Sequence, residues 1–293
     1  ARLSLQRLDM LQECSTSLRE PVRKTIIDVV VALFASLNDE HMKPGFVTAR
    51  EQIGSYSPAK HDREQPGGNA ADHVGPLLLF FELVHIGDTI QQMGQVFFDR
   101  LGSRMLGKMD FTNAAVREKR RFENDLDEEV ASGLSAGVEL LVHQMEHIVQ
   151  AHQHPRDYYP ESDAVDVSTP TQACAECCAT LRVYCDMLAA CADKAVLDVF
   201  YEEIGFRLFS VLSKHLKRQI ISMTGGFQVI CDLNHYSQFI EGLRQPPVTT
   251  RFTALKRIGS LYIVSEPKEL AKMVQDPTLS HGVMRPEEMY EFL

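Results

Sequence analysis

The sequence predicts an all-α fold, an elongated rod of stacked antiparallel helical bundles. Three observations carry that expectation. Apolar residues recur every three or four positions through most of the chain, and no stretch alternates as a half-buried strand would. The breaks between periodic segments collect Pro, Gly and capping residues. One periodic run, 114–152, would make a helix on the order of 60 Å long, which suits a rod better than a globule.

The elements follow in chain order. A first helix is expected to end near Leu18, and Pro21 marks the first turn of a second, where its missing N–H costs nothing. Ile26, Ile27, Val30, Leu33, Phe34 and Leu37 give the second helix its apolar face. From 42 to 73 the chain turns polar and collects Pro44, Gly45, Gly54, Pro58 and Pro66-Gly67-Gly68. The part near 54–73 reads as a mobile loop, because it buries too little apolar surface to offset the entropy of ordering. Helicity resumes near Val74 and runs to about Met109; Gly87 and Gly94, seven apart on one face, indicate a closely approaching neighbour. The long helix over 114–152 carries the stripe Leu126, Val130, Leu134, Val138, Leu141, Met145 and Ile148.

Residues 153–168 form a second break, and Ser168-Thr169-Pro170 signals the next helix start. Helices over 169–192, 193–222, 227–243, 247–264 and 267–275 follow. Asp193 reads as an N-cap, with Leu197, Phe200, Ile204, Leu208, Val211 and Leu212 as the apolar face behind it. Lys214, Lys217 and Arg218 then load the last turns with positive charge, where the helix dipole favours it. Gly225 and Gly226 are expected as a structural corner, since glycine reaches left-handed backbone angles without penalty. Two bundles result, 1–152 and 169–293. Periodicity at both chain ends, from Leu3, Leu5, Leu8 and Leu11 at one to Phe292-Leu293 at the other, marks a piece truncated at both ends.

Composition limits the function classes. Hydrophobic residues are 44% of the 293, enough for a real core, yet the greasiest stretch, Leu77 to Leu83, is far too short to cross a bilayer. The net charge of −10 excludes bulk nucleic-acid binding and confines any basic surface to local clusters. Seven cysteines without the spacing of a secreted framework favour a reducing, cytoplasmic setting.

Four clusters could carry chemistry. His143-Gln144-Met145-Glu146-His147 has the H-x-x-E-H order in which two His share a metal and a Glu acts as base. The core stripe through Leu141 and Met145 lies roughly opposite both His, which places them on a solvated face without a third ligand. Cys174, Cys178, Leu181, Cys185 and Leu188 make one helical seam, so the cysteines read as small buried hydrophobes rather than a zinc or redox site. The run Arg117-Glu118-Lys119-Arg120-Arg121, flanked by Glu123, Asp125 and Asp127, reads as an ion-paired helix face. Lys214, Lys217 and Arg218 are the candidate membrane or partner contact, weighed against simple helix capping. No catalytic, cofactor-binding or metal-ligating residue is assigned.

Three stretches carry a family resemblance: FFELVHIGDTIQQM (Phe80 to Met93), VREKRRFENDLDEEVASG (Val116 to Gly133) and HLKRQIISMTGGFQVICDLNHYSQFI (His215 to Ile240). They resemble the C-terminal helical region of the exocyst Sec-ten family, which includes the fungal recyclins, over roughly 74–293. The Asp-Thr-Ile-Gln-Gln-Met and Lys-His-Leu-Lys-Arg-Gln forms look closer to the recyclins than to animal exocyst subunits. The resemblance implies a tethering-complex architecture and a non-enzymatic scaffold in vesicle tethering, exocytosis and endocytic recycling. It implies small Rab-type GTPases, SNAREs or tether subunits as partners, and a Skp-type adaptor through an F-box upstream of this segment if the chain is a recyclin. It also implies a cytoplasmic protein peripheral to endosome, Golgi or plasma membrane. The rival readings are an H-x-x-E-H zinc hydrolase and a helical adaptor outside trafficking.

Overall fold

The computed structural model describes residues 16–57, 75–104, 113–161, 168–192, 194–276, 278–280 and 282–293, and every regular element among them is helical. The all-α expectation therefore holds. The described residues fall into two compact units, one drawn from Ala1–Ser55 and Pro76–Ala136, the other from Tyr56–Gly75 and Gly137–Leu293. The division falls within the long helix rather than at the 153–168 break. Residues 58–74, most of the expected mobile loop, lie outside the described residues, as does Asp193.

The first unit begins with α1 (Thr16–Ser36), which continues through a π segment (Leu37–Met42) into α2 (Lys43–Ser55). Pro21 lies inside α1 rather than starting it, and the Thr25 hydroxyl donates back to the Pro21 carbonyl at 3.0 Å. A helix over 43–55 was not legible because Pro44 and Gly45 read as breakers. Pro44 sits at the second position after the π segment, and Phe46, Ala49 and Ile53 give α2 a buried face at three- and four-residue spacing. Gly54 and Ser55 thus belong to a helix, not to the expected loop. The π segment aims buried Asn38 at α4 (Ala114–His152), where its amide donates to Asp125 at 2.6 Å.

Between them runs α3 (Gly75–Arg104). Phe34 packs against Phe98 and Phe122 with ring centroids 5.7 and 5.6 Å away, and Phe46 meets Phe80 edge-on at 6.0 Å. Gly87 and Gly94 do admit neighbours, though two different ones: a Cβ on Gly87 would stand 2.8 Å from Leu126 of α4, and one on Gly94 3.4 Å from the Phe34 ring of α1. The Arg117–Arg121 stretch is ion-paired: Lys119 with Glu123, and Arg121 with Glu118 at 3.0 Å and Asp39 at 3.1 Å.

The second unit packs the C-terminal half of α4 with α5 (Gln172–Cys191), α6 (Lys194–Leu216), α7 (Met223–Leu243) and α8 (Pro246–Gly259). A 3-10 turn (Ser260–Ile263), α9 (Pro267–Gln275) and α10 (Pro286–Tyr290) complete it. The expected faces are inside: Val138, Leu141, Met145 and Ile148 on α4, and Phe200, Ile204, Leu208, Val211 and Leu212 on α6 are buried. Cys174, Cys177, Cys178 and Cys185 are buried free thiols, and burial pushes Cys177 and Cys185 up to about 12, far from thiolate reactivity. The seam is core packing.

Candidate partner-binding surface

The surface singled out by sequence, the basic end of one helix and the Gly-Gly start of the next, differs in detail from expectation. Helix α6 stops at Leu216, not 222, and the chain turns through 217–222 before α7 begins at Met223. Gly225 and Gly226 are not a corner. They lie in the first turn of α7, whose N-cap Ser222 accepts from the Gly225 N–H at 3.0 Å. Among described glycines only Gly282 has positive φ, so left-handed freedom is not their role. Space is: a Cβ on Gly225 would stand 1.8 Å from the Tyr158 carbonyl oxygen, and one on Gly226 2.9 Å from Tyr262.

That close approach seats the segment after α4 on α7. The Ser222 N–H donates to the Tyr158 carbonyl at 2.9 Å. The buried Tyr158 hydroxyl donates to Asp232 at 2.8 Å, and Thr171, the N-cap of α5, donates to the same carboxylate through its N–H at 2.8 Å and its hydroxyl at 2.7 Å. Gln228 donates to Asp232 at 3.3 Å and to the Thr169 carbonyl at 2.9 Å. Burial pushes the Asp232 carboxyl upward, and these hydrogen bonds offset only part of that, leaving it above the usual range. Helix α5 therefore starts at Gln172 under a Thr171 cap, not at Ser168-Thr169-Pro170. Sequence reasoning missed this hub. Its signal was present: Asp232 follows Val229 by three and precedes Tyr236 by four, which puts an acid on a buried face.

The three basic residues do not act as one patch. Lys217 reaches Glu291 at 2.6 Å and lies 4.9 Å over the Phe292 ring, so it ties residues 291–292 to the turn that follows α6. Lys214 and Arg218 instead line a cleft of about 570 Å³ with Glu146, Val149, Gln150, Gln153, Pro155, Val211, His215 and Gln219. His215 is half-buried, and burial, with Arg218 adding to it, lowers its pKa to about 4, so the ring is neutral at pH 7. Beside these residues Ile220 is 78% exposed, and Met223 and Phe227, four apart on α7, are 54% and 48% exposed. Basic and bare apolar side chains thus occur within one short stretch, the combination expected of a contact surface.

His143 is exposed and His147 half-exposed, while Glu146 lines the cleft with Lys214. Among the described residues no three of His, Cys, Asp and Glu converge as a metal set, and no helix is long and apolar enough to cross a membrane.

Comparison with known proteins locates this architecture. The family model for the exocyst complex component Sec10-like alpha-helical bundle matches residues 2–293, so the likeness extends well before residue 74. The chain is similar to Recyclin-1 of Saccharomyces cerevisiae, 34% identical over 91% of this chain and 33% of that protein. It is also similar to F-box protein pof6 of Schizosaccharomyces pombe, 30% identical over 100% of this chain and 33% of that protein. Exocyst complex component 5 of Homo sapiens is 22% identical over 72% of this chain and 30% of that protein. The order of identities agrees with a recyclin-like member. The chain spans about a third of the length of the curated relatives it matches.

Proposed function

Because this chain belongs to the exocyst Sec10-like alpha-helical bundle family, we propose that it is a non-enzymatic helical scaffold in membrane trafficking. The observation that carries the reading is the family match across 2–293, joined to a relative named as an exocyst component and two named as a recyclin and an F-box protein. The protein then works in vesicle tethering, exocytosis or endocytic recycling by holding other tether subunits, Rab-type GTPases or SNAREs together. A Skp-type adaptor joins through an F-box elsewhere in the whole protein. The working place is the cytoplasmic face of endosome, Golgi or plasma membrane.

We assign Lys214 and Arg218, with Ile220, Met223 and Phe227, as the contact surface of this segment. Two features support it: the basic pair is spared from the internal ion pair that occupies Lys217, and the apolar side chains beside it are bare. Affinity purification of the whole protein from its own cells tests the reading. Tether subunits or GTPases should co-purify, and Lys214→Glu with Arg218→Glu should deplete them. Retrieval of no trafficking protein would instead favour a helical adaptor of another process. Metal analysis of the same preparation tests the hydrolase reading of His143, Glu146 and His147, which needs stoichiometric zinc.

A further inference from the structure

The cleft at the basic end of α6 has the capacity of a small-molecule site, within the usual range of roughly 300–1,000 Å³. Its lining is peculiar for a chain of net charge −10: Lys214 and Arg218 face amide side chains Gln150, Gln153 and Gln219, with Glu146 as the one carboxylate of the set. Neither Lys214 nor Arg218 has an ion-pair partner among the described residues. His215 lines the same cleft. The Gln219 amide nitrogen lies 3.5 Å from its Nδ1, and Nε2 is enclosed without a hydrogen bond. Two unpaired cations and three amide side chains around one concave surface favour an anionic, hydroxyl-bearing ligand.

We infer that this cleft binds a phosphorylated polyol. Phosphate oxygens take the Arg218 fork and the Lys214 ammonium, while the glutamine amides and Glu146 exchange hydrogen bonds with hydroxyls. Val149, Pro155 and Val211 offer an apolar wall for the carbon face of a ring. A lone carboxylate would satisfy too few of these donors, and inorganic phosphate would leave most of the volume empty. The chemistry is shared by a soluble polyol phosphate and by a lipid headgroup carrying one.

The inference rests on the reading of Lys214 and Arg218 as a contact surface and gives that surface a ligand. Its test is calorimetric titration of the protein with inositol 1,4,5-trisphosphate at about 0.15 M salt. Saturable one-to-one binding is expected, weakened by about tenfold or more in Lys214→Glu with Arg218→Glu. Gln150→Ala should weaken it severalfold, and Lys272→Glu, an exposed change on α9, should leave it intact. Inorganic phosphate should bind about tenfold more weakly or worse. Absence of saturable binding, equal binding of phosphate and trisphosphate, or full binding by a folded double variant would each overturn the proposal. Sedimentation with phosphatidylcholine vesicles, with and without a few per cent of phosphatidylinositol bisphosphate, assigns the source: co-sedimentation points to the headgroup, and binding in solution alone to a soluble ligand. Partner capture lost in the double variant while the trisphosphate never binds sinks this inference and spares the contact surface. Trisphosphate binding without any partner effect does the reverse.

Discussion

The Tyr158 hydroxyl donates to the Asp232 carboxylate over 2.8 Å, joining residues 74 apart in sequence at the centre of the second unit. Both are nearly inaccessible, at 4% and 2% exposure. The bond fixes the segment between α4 and α5 against α7, and that segment in turn supplies the carbonyl that holds the turn leading into α7. Position of the basic cleft and of the bare apolar side chains therefore descends from one buried acid.

Asp232→Ala should cost about 3 kcal/mol, because the Thr171 and Tyr158 donors would stay buried without an acceptor. Tyr158→Phe removes one donor from a carboxylate that keeps the others and should cost about 1–2 kcal/mol. Urea unfolding followed by circular dichroism ranks them. An Asp232→Ala protein as stable as Tyr158→Phe would show that the hub holds no such network.

Gly225→Ala places a methyl 1.8 Å from the Tyr158 carbonyl oxygen, a backbone atom unable to swing away. A loss of about 2 kcal/mol or more is expected, with faster amide exchange over 155–160. Gly242, on the same helix, has nothing within 4 Å of an added Cβ, and Gly242→Ala should gain about 0.5–1 kcal/mol from helix propensity. The opposite signs separate steric contact from propensity.

Helix periodicity was enough to place α4 from 114 to 152 and α9 from 267 to 275, since their apolar stripes are long or bounded by proline. It was not enough for α2, where Pro44 and Gly45 mimic a break while Phe46, Ala49 and Ile53 carry the helix. The glycine pair was legible as special but not in kind. Sequence cannot tell a left-handed turn from a close contact when the contacting atom, the Tyr158 carbonyl, is 67 residues away. The basic trio was legible as charge. Which member is spent internally depended on Glu291 and Phe292, a tertiary fact.

His215 gives the second unit an acid-side weakness. Its folded pKa of about 4 lies below the ordinary 6.5, so between these values the unfolded chain binds more protons and stability falls as pH drops from 6.5 toward 4. The partly shielded ring limits the loss to about 2 kcal/mol. Asp232, raised by burial, works the other way, favouring the fold as pH falls through the carboxylate range. His215→Gln should flatten the slope between pH 6.5 and 4. Identical slopes for parent and variant would assign the acid sensitivity to other groups.

Charge reversal should sort the basic trio by role. Lys217 is paired with Glu291 and stacked on Phe292, so Lys217→Glu sets two carboxylates together and should loosen α10, seen as faster amide exchange over 286–292. Lys214→Glu and Arg218→Glu break no ion pair and should leave thermal stability within about 0.5 kcal/mol of the parent. Their effect should fall on binding, with capture of partner and polyanion reduced while the far-ultraviolet spectrum is unchanged. If instead Lys217→Glu abolished binding without altering exchange at 286–292, the contact surface would lie on the α10 side of α6, and the cleft would be a bystander.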